Sequence, residues 1–338
     1  MSHRLGYSII DLGNVRRSRP YPTDFEVLTR RTVKEDGAIL VGCLLLVLFI
    51  AAATAGSPVS SGPVAGPALA QGNIAFMSND RDGSWHIYRI EASGLNRTCL
   101  VDTPGQDLYP ALSPDGARVA FVSDCDGSSQ LYVTRFGETQ RIRLTDMPGR
   151  KADPAWSPDG QRLAFAADSG GSSQIYVIGA DGGGLVNLTH NTEAYAGHPS
   201  WSPDGARLVF DGLPRNGPDY DIYMMNADGT DVRDVTNDLP NERLPAWSPD
   251  GRRIAFMSDG GNYPWDIWVM DADGQNSHPV TSGPGLHEHP SWSPDGQQIV
   301  FQFGIDGRQQ LYTVNLEDNH LTRLSQDVGN DEAPFWGS

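Results

Sequence analysis

Three histidines and two acidic residues have types and spacings that could support metal chemistry. His287 and His289 are separated by one residue, so an extended strand would place both imidazoles on one face. His198 and His289 each come directly before a proline in similar stretches of the chain. With Glu242 or Asp331 they could converge and hold a transition metal. We expect hydrogen-bonded or solvated histidines and no resident metal or cofactor. The alternative is a metal-assisted lyase or hydrolase acting on carbohydrate.

A second group of candidate residues is aromatic and lies between the predicted strands. Aromatic side chains with Asp, Asn and Glu between them suit the binding of a peptide or a sugar. The competing interpretation is that several of them pack inside the fold. The aromatic set comprises Trp85, Tyr109, Tyr195, Tyr220, Tyr263 and Trp265. The predicted partner-binding set adds His198, Glu242, His287 and His289 to these.

The sequence lacks the signals of catalysis through a nucleophile. It contains no Gly-x-Ser-x-Gly elbow, which is the mark of an α/β-hydrolase serine. The Asp-Gly pairs at 181–182, 228–229 and 273–274 recur at turn positions and lack the spaced ligands of a calcium loop. We therefore expect a protein that binds and does not catalyse.

The elements that must position these residues are repeats. Residues 154–160 read Pro-Ala-Trp-Ser-Pro-Asp-Gly, and Leu-Ala-Phe follows at 163–165. The motif recurs at 199–205, 245–251 and 290–296, and a variant with Leu112 in place of Trp covers 110–116. The copies are spaced by about 45 residues, which is the length of one blade of a β-propeller.

Each repeat predicts four short strands. Ser-Pro-Asp-Gly is a turn, because Pro presets φ, Asp bonds the local backbone and Gly accepts a positive φ. The second-strand Phe and the third-strand Ile-Tyr pair each occur six times, whereas the first-strand motif reaches six only with Pro334-Phe335-Trp336. We therefore predict an all-β, six-bladed propeller of four-stranded blades, in which the C-terminal strand closes the first blade.

These residues carry a family resemblance. The Pro-x-Trp-Ser-Pro-Asp-Gly, Ile-Ala-Phe and Ile-Tyr pattern resembles the TolB-like propeller repeat, also called PD40 or WD40-like, over residues 71–338. The resemblance implies the fold and a role in protein binding. TolB itself carries an α/β domain before its propeller, and residues 1–70 leave no room for one, so the Tol–Pal role is not carried over.

The N-terminal 70 residues predict membrane association. Residues 1–37 are mixed and polar, and we interpret them as a flexible cytoplasmic tail. Residues 38–55 form an uncharged apolar run of about the length that spans a membrane, and basic residues precede it. Residues 56–70 are a linker rich in Pro, Gly, Ala and Ser. The run predicts either a retained transmembrane helix with the propeller outside the cytoplasm, or a cleaved signal that releases a periplasmic or secreted protein.

Charge narrows the range of partners. The chain has 25 basic and 42 acidic residues, for a net charge of −17. Seven of the basic residues precede residue 38, so the propeller is more acidic than the whole. Such a surface disfavours nucleic acid. A disulfide between Cys99 and Cys125 is possible outside the cytoplasm if their Cα atoms lie within about 7 Å.

Strand alternation assigns the loops to two faces. The turns after first and third strands share one face and are short and uniform. The loops after second and fourth strands share the other, the variable-loop face, and rigid scaffolds usually carry function on such loops. We predict a monomeric, non-catalytic, extracytoplasmic scaffold, anchored by its N-terminal helix, that recognises a protein or peptide through this face or the channel mouth.

Overall fold

The computed structural model describes residues 72–337, except for 170, 191–194, 215–216, 237–240, 262–263, 306 and 327–328. Over the described residues the protein is all-β. Its strands form six four-stranded antiparallel sheets. Because the innermost strands of successive sheets contact one another in a closed ring, the sheets are the blades of a propeller. The predicted blade number is confirmed.

Blades are numbered here in chain order, and the strand named first in each is the innermost. Blade 1 contains β24 (Asp331–Trp336), β1 (Asn73–Ser78), β2 (His86–Glu91) and β3 (Thr98–Val101). Blade 2 contains β4 (Asp107–Leu112), β5 (Arg118–Ser123), β6 (Gln130–Arg135) and β7 (Arg141–Arg143). Blade 3 contains β8 (Lys151–Trp156), β9 (Arg162–Ser169), β10 (Ser172–Gly179) and β11 (Val186–Asn187).

The other three blades repeat this order. Blade 4 contains β12 (Tyr195–Trp201), β13 (Arg207–Leu213), β14 (Asp221–Asn226) and β15 (Arg233–Asp234). Blade 5 contains β16 (Glu242–Trp247), β17 (Arg253–Ser258), β18 (Asp266–Asp271) and β19 (His278–Pro279). Blade 6 contains β20 (Leu286–Trp292), β21 (Gln298–Ile305), β22 (Arg308–Asn315) and β23 (Leu321–Arg323).

The Ser-Pro-Asp-Gly turn works as its residues predict. In blade 3 the Ser157 hydroxyl donates to Asp159 Oδ1 at 2.6 Å and accepts from the Arg162 backbone N–H at 2.9 Å. Gly160 takes a φ of 65°, a conformation that costs glycine little. The repeated Asp side chains are therefore satisfied inside their own turns, which leaves them structural.

Blades are joined by the motif tryptophans. Trp156 of blade 3 donates its indole N–H to the Ala111 carbonyl of blade 2 at 3.0 Å, and Arg118 of blade 2 covers its ring at 4.5 Å. The same Arg-on-Trp contact joins blades 3 and 4, 4 and 5, and 5 and 6. Between blades 1 and 2, Leu112 replaces the Trp and Asn73 replaces the Arg. Both partners of the contact are therefore missing at this boundary.

Ring closure by the C-terminus is confirmed. β24 pairs antiparallel with β1, with Ile74 opposite Trp336 and Ala75 opposite Phe335. Trp336 is 5% exposed, and its backbone N–H donates to Ser291 Oγ of blade 6 at 2.9 Å. The last strand therefore completes blade 1 and contacts blade 6 at once.

The predicted tail, apolar run and linker at 1–37, 38–55 and 56–70 lie outside the described residues. Among the residues that are described, no helix is long and apolar enough to span a membrane. Cys99 and Cys125 are both free thiols, so the possible disulfide does not form.

Candidate functional site

A ring of six residues lines the central channel. In every inner strand the residue before the motif proline has a positive φ, between 48° and 56°. Each of these residues sits in a β-bulge, where the pairing of the inner strand with its neighbour changes register. A bulge re-aims the side chain away from the regular pleat. The pre-proline ring consists of Tyr109, Asp153, His198, Leu244, His289 and Ala333.

The pre-proline ring surrounds a cavity of about 140 Å³, which the motif prolines and Phe335 also line. Its wall is chemically uneven. Asp153, His198 and His289 supply polar groups, whereas Leu244 and Ala333 are apolar. The six repeats therefore build one asymmetric site.

The bulge corrects the prediction that His287 and His289 share a face. Because His289 has a φ of 55°, its side chain does not follow the up-and-down alternation of a regular strand. His287 is buried instead within the blade wall, stacked on Phe303 with ring centres 4.6 Å apart. Its Nδ1 lies 3.0 Å from Asp266 Oδ1.

A chain of alternating charges leads outward from the channel. Asp211, on β13, is fully buried. Its Oδ1 lies 2.8 Å from His198 Nδ1, and its Oδ2 accepts a hydrogen bond from Arg243 Nε at 2.9 Å. His198 Nε2 lies 3.3 Å from Asp153 Oδ2. The charge network of Asp153, His198, Asp211 and Arg243 thus links blades 3, 4 and 5.

These contacts set the protonation states. Burial alone would lower the pKa of His198, but Asp153 and Asp211 together raise it. Burial works to raise the pKa of Asp211, yet His198 and Arg243 hold it at about 2. Burial raises the pKa of Asp153. Both imidazole nitrogens of His198 face carboxylates, which favours the protonated form of this histidine.

His289 is the uncharged counterpart of His198 across the cavity. The two ring centres are 6.3 Å apart at an angle of 82°. Burial, followed by the charges of His198 and Arg243, lowers the pKa of His289 to about 3. Its Nδ1 is buried without a hydrogen-bond partner. A neutral imidazole beside one whose protonated form is favoured offers a ligand both a hydrogen-bonding group and a positive charge.

Two predicted aromatic residues hold the far end of the charge network. Tyr195 and Tyr220 meet edge to face with centroids 5.5 Å apart. The Arg243 guanidinium lies 4.3 Å from the Tyr220 ring centre, and its Nη2 donates to the Tyr195 hydroxyl at 3.3 Å. Burial, followed by the charge of Asp211, raises the pKa of Tyr195 well above its usual value. Burial also raises the pKa of Tyr220, so both phenols stay neutral beside Arg243.

Tyr109 faces the cavity from blade 2. It packs beside Phe335 in the hydrophobic core of the inner strands. Burial raises its pKa to about 12, with a further contribution from Asp153. Its hydroxyl therefore stays protonated at neutral pH.

Other predicted binding residues are not available to a partner. Trp85 and Trp265 are only 6% and 7% exposed, so the prediction that they are surface aromatics is wrong. Their carbonyls accept the backbone N–H of Asp107 and His287 in the next blade, which identifies them as packing residues between blades. Tyr263 lies outside the described residues.

Glu242 is fully buried at the start of β16, between blades 4 and 5. The Thr236 hydroxyl favours its ionised form, whereas burial and the acidic neighbours oppose it. Burial, followed by the charge of Asp221, raises its pKa to about 9. This residue does not join the histidines in the channel.

The candidate metal site is not assembled in this geometry. His287 is in the blade wall, and His198 already faces two carboxylates. Among the described residues, no three His, Cys, Asp or Glu side chains are grouped to hold a metal ion.

Sequence reasoning missed three members of the charge network: Asp153, Asp211 and Arg243. Alignment of the repeats with one another would have singled out Asp211. The residue after the second-strand Phe is Met77, Val122, Ala166, Met257 or Gln302 in the other five blades, but it is Asp211, a carboxylate, in blade 4. A carboxylate in a core position requires a buried partner.

The fold and the cavity define a six-bladed β-propeller whose narrow channel carries an ion-pair network on one wall. The chain belongs to the PD40 family, described as the TolB beta propeller domain. That family's model matches residues 59–211, 190–284 and 219–338. Comparison with curated proteins gave no match.

Solved structures show the same fold. TolB from Acinetobacter baumannii is 21% identical, with a TM-score of 0.72 over 80% of this chain and 68% of its own. A putative TolB from Agrobacterium tumefaciens is 22% identical, with a TM-score of 0.63 over 78% and 91%. An oligogalacturonate lyase from Vibrio parahaemolyticus is 16% identical, with a TM-score of 0.50 over 75% and 74%. At these identities the similarity extends to the fold alone.

Proposed function

We propose that this protein is a non-catalytic scaffold that recognises a protein or peptide by admitting one of its side chains into the central channel. The observation that carries this proposal is the size and lining of the cavity. At about 140 Å³ it is smaller than the roughly 300–1,000 Å³ of typical small-molecule sites. That volume suits a single side chain with an apolar stem and a polar end.

The same features favour binding over carbohydrate cleavage. A saccharide chain needs a longer cleft, and metal-assisted cleavage needs ligands that the described residues do not bring together. The membership in the TolB propeller family agrees with a binding scaffold. The proposed location is outside the cytoplasm, and it rests on the apolar run 38–55 with basic residues before it.

Site-directed photo-crosslinking of the full chain in its host tests this function. With a benzoylphenylalanine at position 109, we expect a discrete adduct that contains a peptide from a partner. His289→Ala, in the same crosslinking chain, should reduce the adduct several-fold, since it removes a polar group from the cavity wall.

The matched control places the same crosslinker at Gln161, an exposed residue of a Ser-Pro-Asp-Gly turn on the opposite face. It should give no such adduct. An identical adduct from position 161, or one that His289→Ala leaves unchanged, would rule out recognition through the channel.

A further inference from the structure

At the boundary between blades 4 and 5, two acidic side chains occupy positions where each of the other blade boundaries has at most one acidic residue. At each blade boundary, the residue three positions before the motif proline can be compared with the residue that precedes the third-strand Ile or Leu of the preceding blade. The pairs are His86 with Asp107, Gln130 with Lys151, Gln174 with Ala196, Asp221 with Glu242, Asp266 with His287, and Gln310 with Asp331. Only Asp221 with Glu242 places two acids together.

The same backbone hydrogen bond sets this register in three interfaces. The Glu242 N–H donates to the Tyr220 carbonyl at 2.7 Å, as the Asp107 and His287 N–H groups do to Trp85 and Trp265. In the latter two interfaces a histidine faces the carboxylate, at 3.9 Å from Asp107 and 3.0 Å from Asp266. Blades 4 and 5 therefore differ from their equivalents in charge and not in backbone pairing.

Among the described residues, no basic side chain forms an ion pair with Glu242. It is fully buried, and the Thr236 hydroxyl is the uncharged group that favours its ionised form. Its strongest charge interactions are with other carboxylates: Asp221 on β14, Asp234 on β15, and Asp259 after β17. Asp219 adds to the charge around Asp221. An ionised carboxylate is strongly disfavoured in such surroundings.

The remaining neighbours of β16 do not face Glu242 with an opposite charge. Tyr195 on β12 and Asp211 on β13 contact Arg243, one residue further along. His289 on β20 lies in the channel beside His198, and its pKa is lowered to about 3, so it is neutral. In the described part of the chain, the charged groups that act most strongly on Glu242 are therefore all acidic.

A proton is the neutralising species that this space accommodates. Glu242 and Asp221 do not line the central cavity, and they do not line the second cavity, between blades 2 and 3. Among the described residues no three acidic or histidine side chains are arranged for a metal ion. A hydrated cation needs room and ligands that a bound proton does not.

We propose that Glu242 and Asp221 form a proton-binding latch between blades 4 and 5, which holds the blades together while protonated and loosens as the pH rises. Glu242 begins β16, and Leu244, two residues later, lines the cavity. A change at the latch therefore acts on a strand that forms the channel wall.

The direction of the effect follows from proton linkage. Burial and Asp221 raise the pKa of Glu242 to about 9, from 4.5 for a free side chain. Burial, together with Asp234, raises that of Asp221 to about 7. Above pH 4.5 the unfolded chain releases the proton of Glu242, whereas the folded state holds it until about pH 9. For Asp221 the corresponding range is from pH 3.8 to about 7. Stability therefore falls as the pH rises through these ranges.

Thermal unfolding of the full chain between about pH 5 and pH 10 tests the latch. Wild type and Glu242→Gln should melt together near pH 5, where the carboxyl group is protonated in the folded state. The melting temperature of the variant should exceed that of wild type increasingly towards pH 9, by about 5 °C or more. Parallel curves would overturn the proposal.

Two control variants separate the latch from general charge effects. Glu317→Gln, at an exposed site, should give a curve parallel to wild type. Glu332→Gln should reach its full effect near pH 7–8, because burial and Glu288 raise the pKa of Glu332 only to about 7. Equal pH profiles for Glu242→Gln and Glu332→Gln would contradict a latch specific to Glu242.

A second variant and an ion titration keep the test decisive. Asp221→Asn removes the neighbouring acid, so the fall in stability should shift to a lower pH or shrink. At pH 9, calcium chloride should shift the melting temperature of wild type no more than it shifts that of Glu242→Gln. Stabilisation of wild type alone by calcium would replace the proton with a cation and overturn the latch.

Discussion

Truncation of the chain after Ala333 is expected to destabilise the propeller by several kcal/mol. It removes Trp336, which is 5% exposed, and loss of a buried aromatic side chain alone costs about 3–5 kcal/mol. It also removes the pairing of Trp336 and Phe335 with Ile74 and Ala75 of β1, and the hydrogen bond from the Gly337 N–H to the Asn73 carbonyl. The first half of the β1 edge would then be open to pairing with other chains. Denaturant unfolding measures the loss of stability, and light scattering measures the aggregation.

Two single substitutions calibrate this result. Trp336→Ala should lose a large part of the stability without opening the edge of β1. Leu321→Ala, at a side chain 39% exposed on the outer strand of blade 6, should change stability by about 0.5 kcal/mol or less. A truncated chain that unfolds at the same denaturant concentration as wild type would refute closure by β24.

Arg243→Met should be the most damaging single substitution in the channel wall. It keeps much of the side-chain volume but leaves the fully buried Asp211 without its guanidinium partner, so that His198 alone of these two cationic groups remains beside it. Removing one partner of a buried ion pair typically costs about 3–5 kcal/mol. Urea unfolding at neutral pH measures this cost.

A double variant tests whether the cost comes from the stranded charge. Combining Arg243→Leu with Asp211→Met installs Leu and Met, which blades 2 and 1 carry at these positions as Leu108 and Met77. Stability should largely recover, because apolar replacement of a buried pair is often neutral. If the double variant is as unstable as Arg243→Met, lost packing and not stranded charge would explain the damage.

The partly exposed arginines on the motif tryptophans provide the comparison. Arg118→Met removes a guanidinium that is 22% exposed and lies 4.5 Å from the Trp156 ring centre. Contacts of this kind contribute about 0.5–1 kcal/mol at accessible sites. A cost similar to that of Arg243→Met would show that burial of the charge is not what makes Arg243 important.

The repeat made most of the fold predictable. The count of second-strand Phe and third-strand Ile-Tyr pairs gives six blades without any structural information, and the missing first strand of blade 1 identifies Phe335 and Trp336 as the closing element. These inferences succeed because blade packing depends on regular positions that recur every 45 residues or so.

The site was less predictable because it depends on departures from regularity. Strand alternation paired His287 with His289, but the bulge turns His289 into the channel and leaves His287 in the wall. Trp85 and Trp265 were predicted from loop position, whereas both occupy the repeated position whose carbonyl bonds the next blade. Arg243 and Asp211 become visible only when each repeat is aligned with the others.

Ring closure also dictates when the protein can finish folding. Asn330 donates its backbone N–H to the side chain of Asn79, and the two residues are 251 positions apart in the chain. During synthesis, blades 2 to 6 can acquire all four strands in order, while blade 1 waits for β24, which emerges after all of them. Contacts between such distant segments form slowly. The growing chain therefore exposes the unpaired edge of β1 throughout translation, and a binding partner for that edge, such as a chaperone, would have the longest access there.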